Sequence, residues 1–382
     1  MSILSALMVS RATVAAFMAV GFTWGCFAAM APVLKTRIGV DDAIFGLLLL
    51  GTALGLTTTL YAAPRFDRAM GVWALPLGAA LLAAMATLPG WAGVTAPLLF
   101  LSLLVLGGFS GLLDVVMNAR VSEVEARTGL SLMNVNHAMF SVAYAISALV
   151  TGAMREAGLA PEAIFAVTGL MILATVPFQK TEVAPPPPEH ETGDVRLPLP
   201  LVAICGTMVL IAFMGEATVE AWSALHIERT LGGGAAEGAF GPAMLGITMA
   251  VGRFSGQAVA ARLSELTVIR IATGFAVAGV LIAAAAPSPI WAYFGFGLQG
   301  LGVSVIGPMG LALAGRLSPA HKRTAVIARV AIIGFTGFFL APALMGLGAE
   351  AFGLRWAFAG VALLLAVNWP LSYSRQVAPT RP

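Results

Sequence analysis

Apolar positions run along this chain in unbroken blocks of about twenty residues, with polar residues confined to the short gaps between them. A block of that length is what a helix needs to cross hydrocarbon at ~1.5 Å of rise per residue. Twelve blocks are predicted as spans, at 12–34, 44–63, 72–90, 95–119, 133–154, 162–178, 199–222, 240–260, 271–287, 290–314, 325–347 and 356–373. One gap differs from the rest. Residues 179–200, QKTEVAPPPPEHETGDVRLPLP, hold four consecutive prolines among clustered charges, the composition of an extended linker. The pattern predicts an all-α membrane protein with a six-span bundle in 1–178, a linker in 179–198 and a second six-span bundle in 199–382.

The two bundles echo each other at an offset of 194 or 195 residues. Phe45-Gly46 aligns with Phe240-Gly241 and Gly51 with Gly246. Gly108 and Ser110 align with Gly302 and Ser304, Gly152 with Gly346, and Gly158-Leu159 with Gly353-Leu354. Two parallel six-helix repeats are the pattern of a transporter whose site lies between its halves.

Composition agrees with a lipid environment. The chain is 59% hydrophobic and only 10% charged, too little charge to cover a soluble surface of 382 residues. The 43 glycines fit close helix packing in lipid. No cleavable leader is expected ahead of the first span. Cys26 and Cys205 both fall in predicted spans and are expected to be packed thiols.

A net charge of +3 would fit nucleic acid, but the placement of the basic residues argues otherwise. With the N-terminus set inside, one side holds Arg11, Arg65, Arg68, Arg120, Arg127, Lys180, Arg196, Arg262, Arg270, Arg316, Lys322, Arg323, Arg329, Arg375 and Arg381. The other side holds Lys35, Arg37, Arg155, Arg229 and Arg355. Positive charge accumulates on the cytoplasmic side, so both termini are expected there, in a bacterial inner membrane. The lipid bilayer is the implied partner, not a nucleic acid.

Asp114, Glu216, Glu220 and Arg253 are strongly charged residues inside the predicted spans. A charge there costs at least ~2.5–3.5 kcal/mol on insertion scales, so each needs a partner or a wet cavity. Glu216 and Glu220, spaced i, i+4, share one face of the seventh span. Two carboxylates in a low-dielectric site repel, so at least one can hold a proton at neutral pH. That is the chemistry of proton coupling. Asp114, with Asn118 one turn below, and His137 at similar depth are expected to form a hydrogen-bonded cluster nearer the inner face. A straight-helix estimate puts Arg253 well below Glu216, so no direct pair between them is expected.

Enzyme signatures are missing from the pattern. The four histidines and two cysteines are dispersed without zinc spacing, no cofactor is implied, and no GxxxxGK[ST] loop offers ATP as a driving force.

Over nearly its full length the chain resembles the major facilitator superfamily. GFTWGCFAAMAPVLKTRIGVDDAIFG, GEATVEAWSAL, Asp114-Val-Val-Met-Asn118 and GLGVSVIGPMG…RTAVIARVAIIGFTGFFLAP resemble its fucose-permease-like branch. There are departures. The loop 2–3 signature reads Ala63-Pro64-Arg65-Phe66-Asp67-Arg68-Ala69-Met70-Gly71, without the trailing basic pair, and the first span lacks the acid of fucose permeases. The resemblance implies a latch at Asp67 and Arg68, and a gating role for Arg253, which would neutralise Asp114 across the bundle interface or brace loop 8–9. It also implies a cavity lined by spans 1, 4, 7 and 10. That nominates Trp24, Asn118, Tyr293, Gln299 and Ser304 for substrate contact, with Asn136 and Tyr144 within reach on the fifth span.

The implied function is secondary active transport of a small polar organic solute, sugar-like or an organic acid. Proton symport by alternating access is the expected mode, carried out by a monomer, with Glu216, Asp114, Glu220 and His137 as proton carriers. A proton-coupled efflux pump for amphipathic compounds is the alternative. The fifth span, HAMFSVAYAISALVTGAM, lacks the Gly-Pro of drug antiporters, and the fourth lacks their arginine. A non-transporting membrane sensor is the third reading.

Overall fold

A computed structural model describes residues 3–59, 61–181, 197–260 and 262–378. Most of the proline-rich linker expected at 179–198 lies outside the described residues. Among the described residues every regular element is a helix. The first six membrane helices are α1 (Arg11–Ile38), α2 (Asp42–Thr59), α3 (Ala63–Ala92), α4 (Ala96–Thr128), α5 (Met133–Glu156) and α6 (Pro161–Phe178). They are followed by α7 (Leu199–Thr230), α8 (Ala235–Ala260), α9 (Glu265–Ala285), α10 (Pro289–Leu317), α11 (Arg323–Phe352) and α12 (Leu354–Ser372). Eleven of these are long and apolar enough to cross a membrane by length and composition. The remaining one, α8, is 26 residues long and packs among α5, α7 and α10. The face where α1 begins and α12 ends is termed the terminal face here, and the opposite one the distal face.

Packing repeats with a shift of six helices. In the first set α1 packs on α5, α2 on α4 and α3 on α6. In the second set α7 packs on α11, α8 on α10 and α9 on α12. The sets meet through α5 against α8 and α2 against α11, two interfaces that the same shift interchanges. The aligned glycines Gly152 and Gly346 lie in these two interfaces. A Cβ on Gly152 would stand 2.5 Å from the Ala239 side chain, and one on Gly346 would stand 2.5 Å from the Asp42 carbonyl. The first segment of α2, Asp42–Leu48, packs closely on α11, while the segment after it, Leu50–Thr59, barely touches that helix. Helices α2 and α11 therefore meet at the distal face and diverge toward the terminal face.

Several helices outrun their apolar blocks. α4 continues to Thr128, where Gly129 at φ 68 closes it with an N–H bond to the Glu125 carbonyl. α7 continues through a π-helical turn, His226–Thr230, and α8 starts at Ala235. The added turns are polar, so hydropathy ends a span before the helix ends.

Candidate functional site

Arg253 stands at mid-depth on α8 and joins the two sets of helices. Its Nη1 donates to Ser141 Oγ at 2.5 Å and to the His137 carbonyl at 3.3 Å, both on α5. Its Nη2 donates to Glu216 Oε1 on α7 at 3.3 Å. Gly246, two turns before Arg253, allows this approach, since a Cβ there would press on the Tyr144 ring at 2.9 Å and the Ser141 carbonyl at 3.0 Å. The Arg253–Glu216 pair corrects the expectation from straight helices. The extra turns of α7 and α8 reduce the offset between the residues from about 10 Å to about 6 Å along the axis, and an arginine side chain spans that distance.

Glu220, one turn beyond Glu216, lies near enough for the two carboxylates to interact, and Arg253 acts on both. Tyr144 on α5 is buried within electrostatic range of both glutamates. Its hydroxyl has no hydrogen-bond partner among the described residues. Gln299 on α10, also buried, donates to the Gly215 carbonyl at 3.0 Å and braces the backbone beside Glu216. Two acids of α7 and the arginine of α8 thus meet neutral groups of α5 and α10 at one place. The expected division into an outer acid pair and an inner group holding Asp114 and Arg253 does not hold, because Arg253 belongs with the acid pair.

The remaining candidates are scattered. Asn118 donates from Nδ2 to the Asp114 carbonyl at 2.8 Å and to its Oδ1 at 3.3 Å, so these two do associate on α4. His137 does not complete that cluster as expected; its ring meets Phe17 edge-on at a centroid distance of 4.8 Å. Trp24 Nε1 donates to Ser110 Oγ at 3.0 Å, one turn from Asp114, which ties α1 to α4. Tyr293 sits one turn into α10 at the distal face, its ring tilted against that of Phe240. Asn136 is buried near the start of α5 and bonds the Leu132 carbonyl, and Ser304 bonds the Leu301 carbonyl. None of these three bonds Arg253 or the acid pair among the described residues, although Ser304 packs on α8 at Gly252, next to Arg253.

At the terminal face the latch differs from the expected pair. Asp67 takes Arg120 of α4 as its cation at 2.5 Å, in place of Arg68, and Arg120 also holds Glu123 at 2.9 Å. Arg120 is 1% exposed. Ending the fourth span at residue 119 had placed it outside the membrane helix.

The distal face carries a clamp built from residues at or beyond the ends of the predicted spans. Glu228 and Arg229 are neighbours in the π-helical turn, and each reaches a different helix of the first set. Arg155 of α5 grips Glu228 through both Nη atoms at 2.8 and 2.9 Å, and donates to the Ala29 carbonyl at 2.6 Å. Arg229 grips both carboxylate oxygens of Asp42 at 2.5 and 2.7 Å. Lys35 adds a 3.0 Å contact to Asp42, and Glu350 of α11 accepts from the Asp42 backbone at 3.0 Å. Local sequence sets this up: Gly39 at φ 66 ends α1, and Asp41 caps the Ile44 N–H at 2.7 Å, which brings Asp42 back toward Lys35. The available signal was opposite charges at adjacent span ends.

Comparison with known proteins follows from this geometry. A family model described as Major Facilitator Superfamily matches residues 13–296 and 205–381. An uncharacterized MFS-type transporter of Yersinia pestis is 30% identical over 352 residues, covering 92% of this chain and 91% of the relative. The fold is similar to that of a bacterial homologue of the human lysosomal transporter Spinster in an inward-facing, occupied conformation. That similarity has a TM-score of 0.77 at 15% identity and covers 96% of each chain. It is also similar to a D-xylose–proton symporter, with a TM-score of 0.74 at 12% identity, over 97% of this chain and 98% of that one.

Proposed function

The chain belongs to the major facilitator superfamily, a family of membrane transporters rather than enzymes, and from that premise we propose that it is a proton-coupled symporter of a small polar organic solute. The solute is sugar-like or an organic acid, as the fucose-permease-like motifs and the fold shared with a D-xylose–proton symporter support. Transport proceeds by alternating access in a monomer. The two bundles, 1–178 and 199–382, rock about a site at the Arg253 cluster, with the terminal face cytoplasmic in a bacterial inner membrane.

The observation that carries this reading is Arg253 itself. It bonds Ser141 and His137 of one bundle and Glu216 of the other at mid-depth, so its partners must change when the bundles move. Glu216 is the first proton carrier and Glu220 shares its proton. Asp114, backed by Asn118, offers a second acid on the opposite bundle, and His137 links α5 to the cation. The clamp at Asp42, Arg229, Arg155 and Glu228 holds the distal side shut while the terminal side admits solute.

The test is uptake into proteoliposomes with a solute identified by thermal-shift screening. Glu216→Gln is expected to abolish the response of uptake to an imposed pH gradient. Uptake in Glu216→Gln that still follows the gradient refutes the assignment.

A further inference from the structure

The partners of Arg253 are unequal. Its bond to the neutral Ser141 hydroxyl is short, 2.5 Å, while its bond to the Glu216 carboxylate is 3.3 Å, long for a charge-assisted contact, which settles at ~2.7–2.9 Å. The carboxylate is therefore the loosely seated partner. Three more groups stand around it. Tyr144 brings a hydroxyl that is buried and unpartnered. Glu220 is a second acid within electrostatic range of Arg253. The His137 backbone carbonyl accepts from Arg253 on the α5 side. A guanidinium holding an internal carboxylate loosely, beside a spare hydroxyl donor, has the form of a carboxylate site occupied by a side chain of its own protein.

We propose that the Arg253 cluster is a binding site for a small organic monocarboxylate. The solute's carboxylate takes the place of Glu216 on Arg253 and accepts a hydrogen bond from the Tyr144 hydroxyl. Glu216 takes up one proton as it leaves. The charge inside the site is the same before and after: the guanidinium faces one carboxylate, that of Glu216 before and that of the solute after, when the displaced Glu216 is neutral. One proton therefore accompanies each monoanion. This inference rests on the proton-symport reading and narrows its solute to an organic acid. A neutral sugar would leave Glu216 on Arg253 and give the proton no reason to bind. A cation drawing Glu216 to itself would leave a buried guanidinium uncompensated, beside a second positive charge.

The test is binding of acetate, pyruvate, gluconate and benzoate to the purified full chain, with glucose and choline as neutral and cationic controls. Wild type is expected to bind at least one of these carboxylates roughly 300-fold tighter at pH 5.5 than at pH 8.0, because one proton taken up on binding is worth tenfold per pH unit. Glu216→Gln removes the carboxylate bonded to the guanidinium, so it is expected to bind the same anion with an affinity that depends far less on pH. Arg253→Gln is expected to lose binding and Arg253→Lys to keep part of it, which separates lost recognition from lost folding. Absence of binding of all four carboxylates to Glu216→Gln at ~50 mM overturns the proposal, since weaker sites fall below any useful affinity. So does loss in Glu216→Gln of an anion that wild type binds. Proton-driven uptake of glucose would overturn the carboxylate site and leave proton coupling standing; gluconate uptake indifferent to a pH gradient would do the reverse.

Discussion

Removing Glu228 should open the distal face. Arg155 and Glu228 share two hydrogen bonds at 2.8 and 2.9 Å, with side chains 7% and 18% exposed. Taking away one member of a fully buried pair costs ~3–5 kcal/mol, because the other charge is stranded. This pair is close to the surface and partly screened, and Arg155 keeps the Ala29 carbonyl, so about 2 kcal/mol is the expected cost. In a state open at the distal face both groups meet water and the substitution costs nothing. The full difference therefore enters the conformational equilibrium, a shift of roughly 30-fold toward the open state. Spin labels at Leu159 and Phe352, exposed at the distal ends of the two sets, report this as a distance distribution. In Glu228→Gln the longer-distance population should grow by about that factor. A distribution identical to wild type refutes the reasoning. Arg155→Gln combined with Glu228→Gln should shift it less than the two single changes added together, since neither charge is then stranded.

Three further outcomes follow from the packing. Gly46→Ala places a methyl group 2.6 Å from the Pro342 carbonyl and 3.0 Å from the Gly346 Cα; neither is a side chain that can swing away, so the same spin-label pair should report separation of α2 from α11. Arg120→Gln strands Asp67 beneath a 1%-exposed position and should lower thermal stability by about 2–3 kcal/mol, read as a fall in the melting midpoint, with Arg120→Lys intermediate. Asp114→Asn preserves the shape of the Asp114–Asn118 contact while removing the acid; loss of proton-driven uptake with solute binding retained is expected, and unchanged uptake would make that pair structural.

The helices were readable because eleven of the twelve carry a long apolar block. The Arg253–Glu216 pair was not. Its depth was computed from hydropathy ends, and the polar π-helical turn at His226–Thr230 and the early start of α8 lie beyond those ends. The clamp was hidden for a related reason. Charges at the ends of spans read as solvated loop residues, and what pairs them is tertiary: Arg155 lies 73 positions from Glu228, and Arg229 lies 187 from Asp42. Asp67 had two plausible cations, Arg68 beside it and Arg120 across from it. Only helix packing decides between them, because neighbours on one helix point apart while α4 packs against the first turns of α3.

The clamp and the mid-depth cluster are carried by the same two pieces of structure. α7, its π-helical turn and α8 form one hairpin that holds Glu216, Glu220, Glu228, Arg229 and Arg253. Facing it, α5 holds His137, Ser141, Tyr144 and Arg155. Ser141 and Arg155 are fourteen residues apart on one helix, about 21 Å along its axis, and each is bonded to the opposite hairpin. A rigid helix cannot release one contact by rotating away from the hairpin without disturbing the other. Freeing Arg155 from Glu228 therefore strains the Arg253–Ser141 bond, and a ligand that redirects Arg253 weakens the hold on the distal clamp. The two events are reciprocal, as linkage requires. Glu228→Gln, by loosening the clamp, should thus change the affinity measured at Arg253, although the residue lies far from that site. An anion affinity identical to wild type, in a variant whose distal distances have shifted, would show that α5 bends between the two contacts rather than transmitting between them.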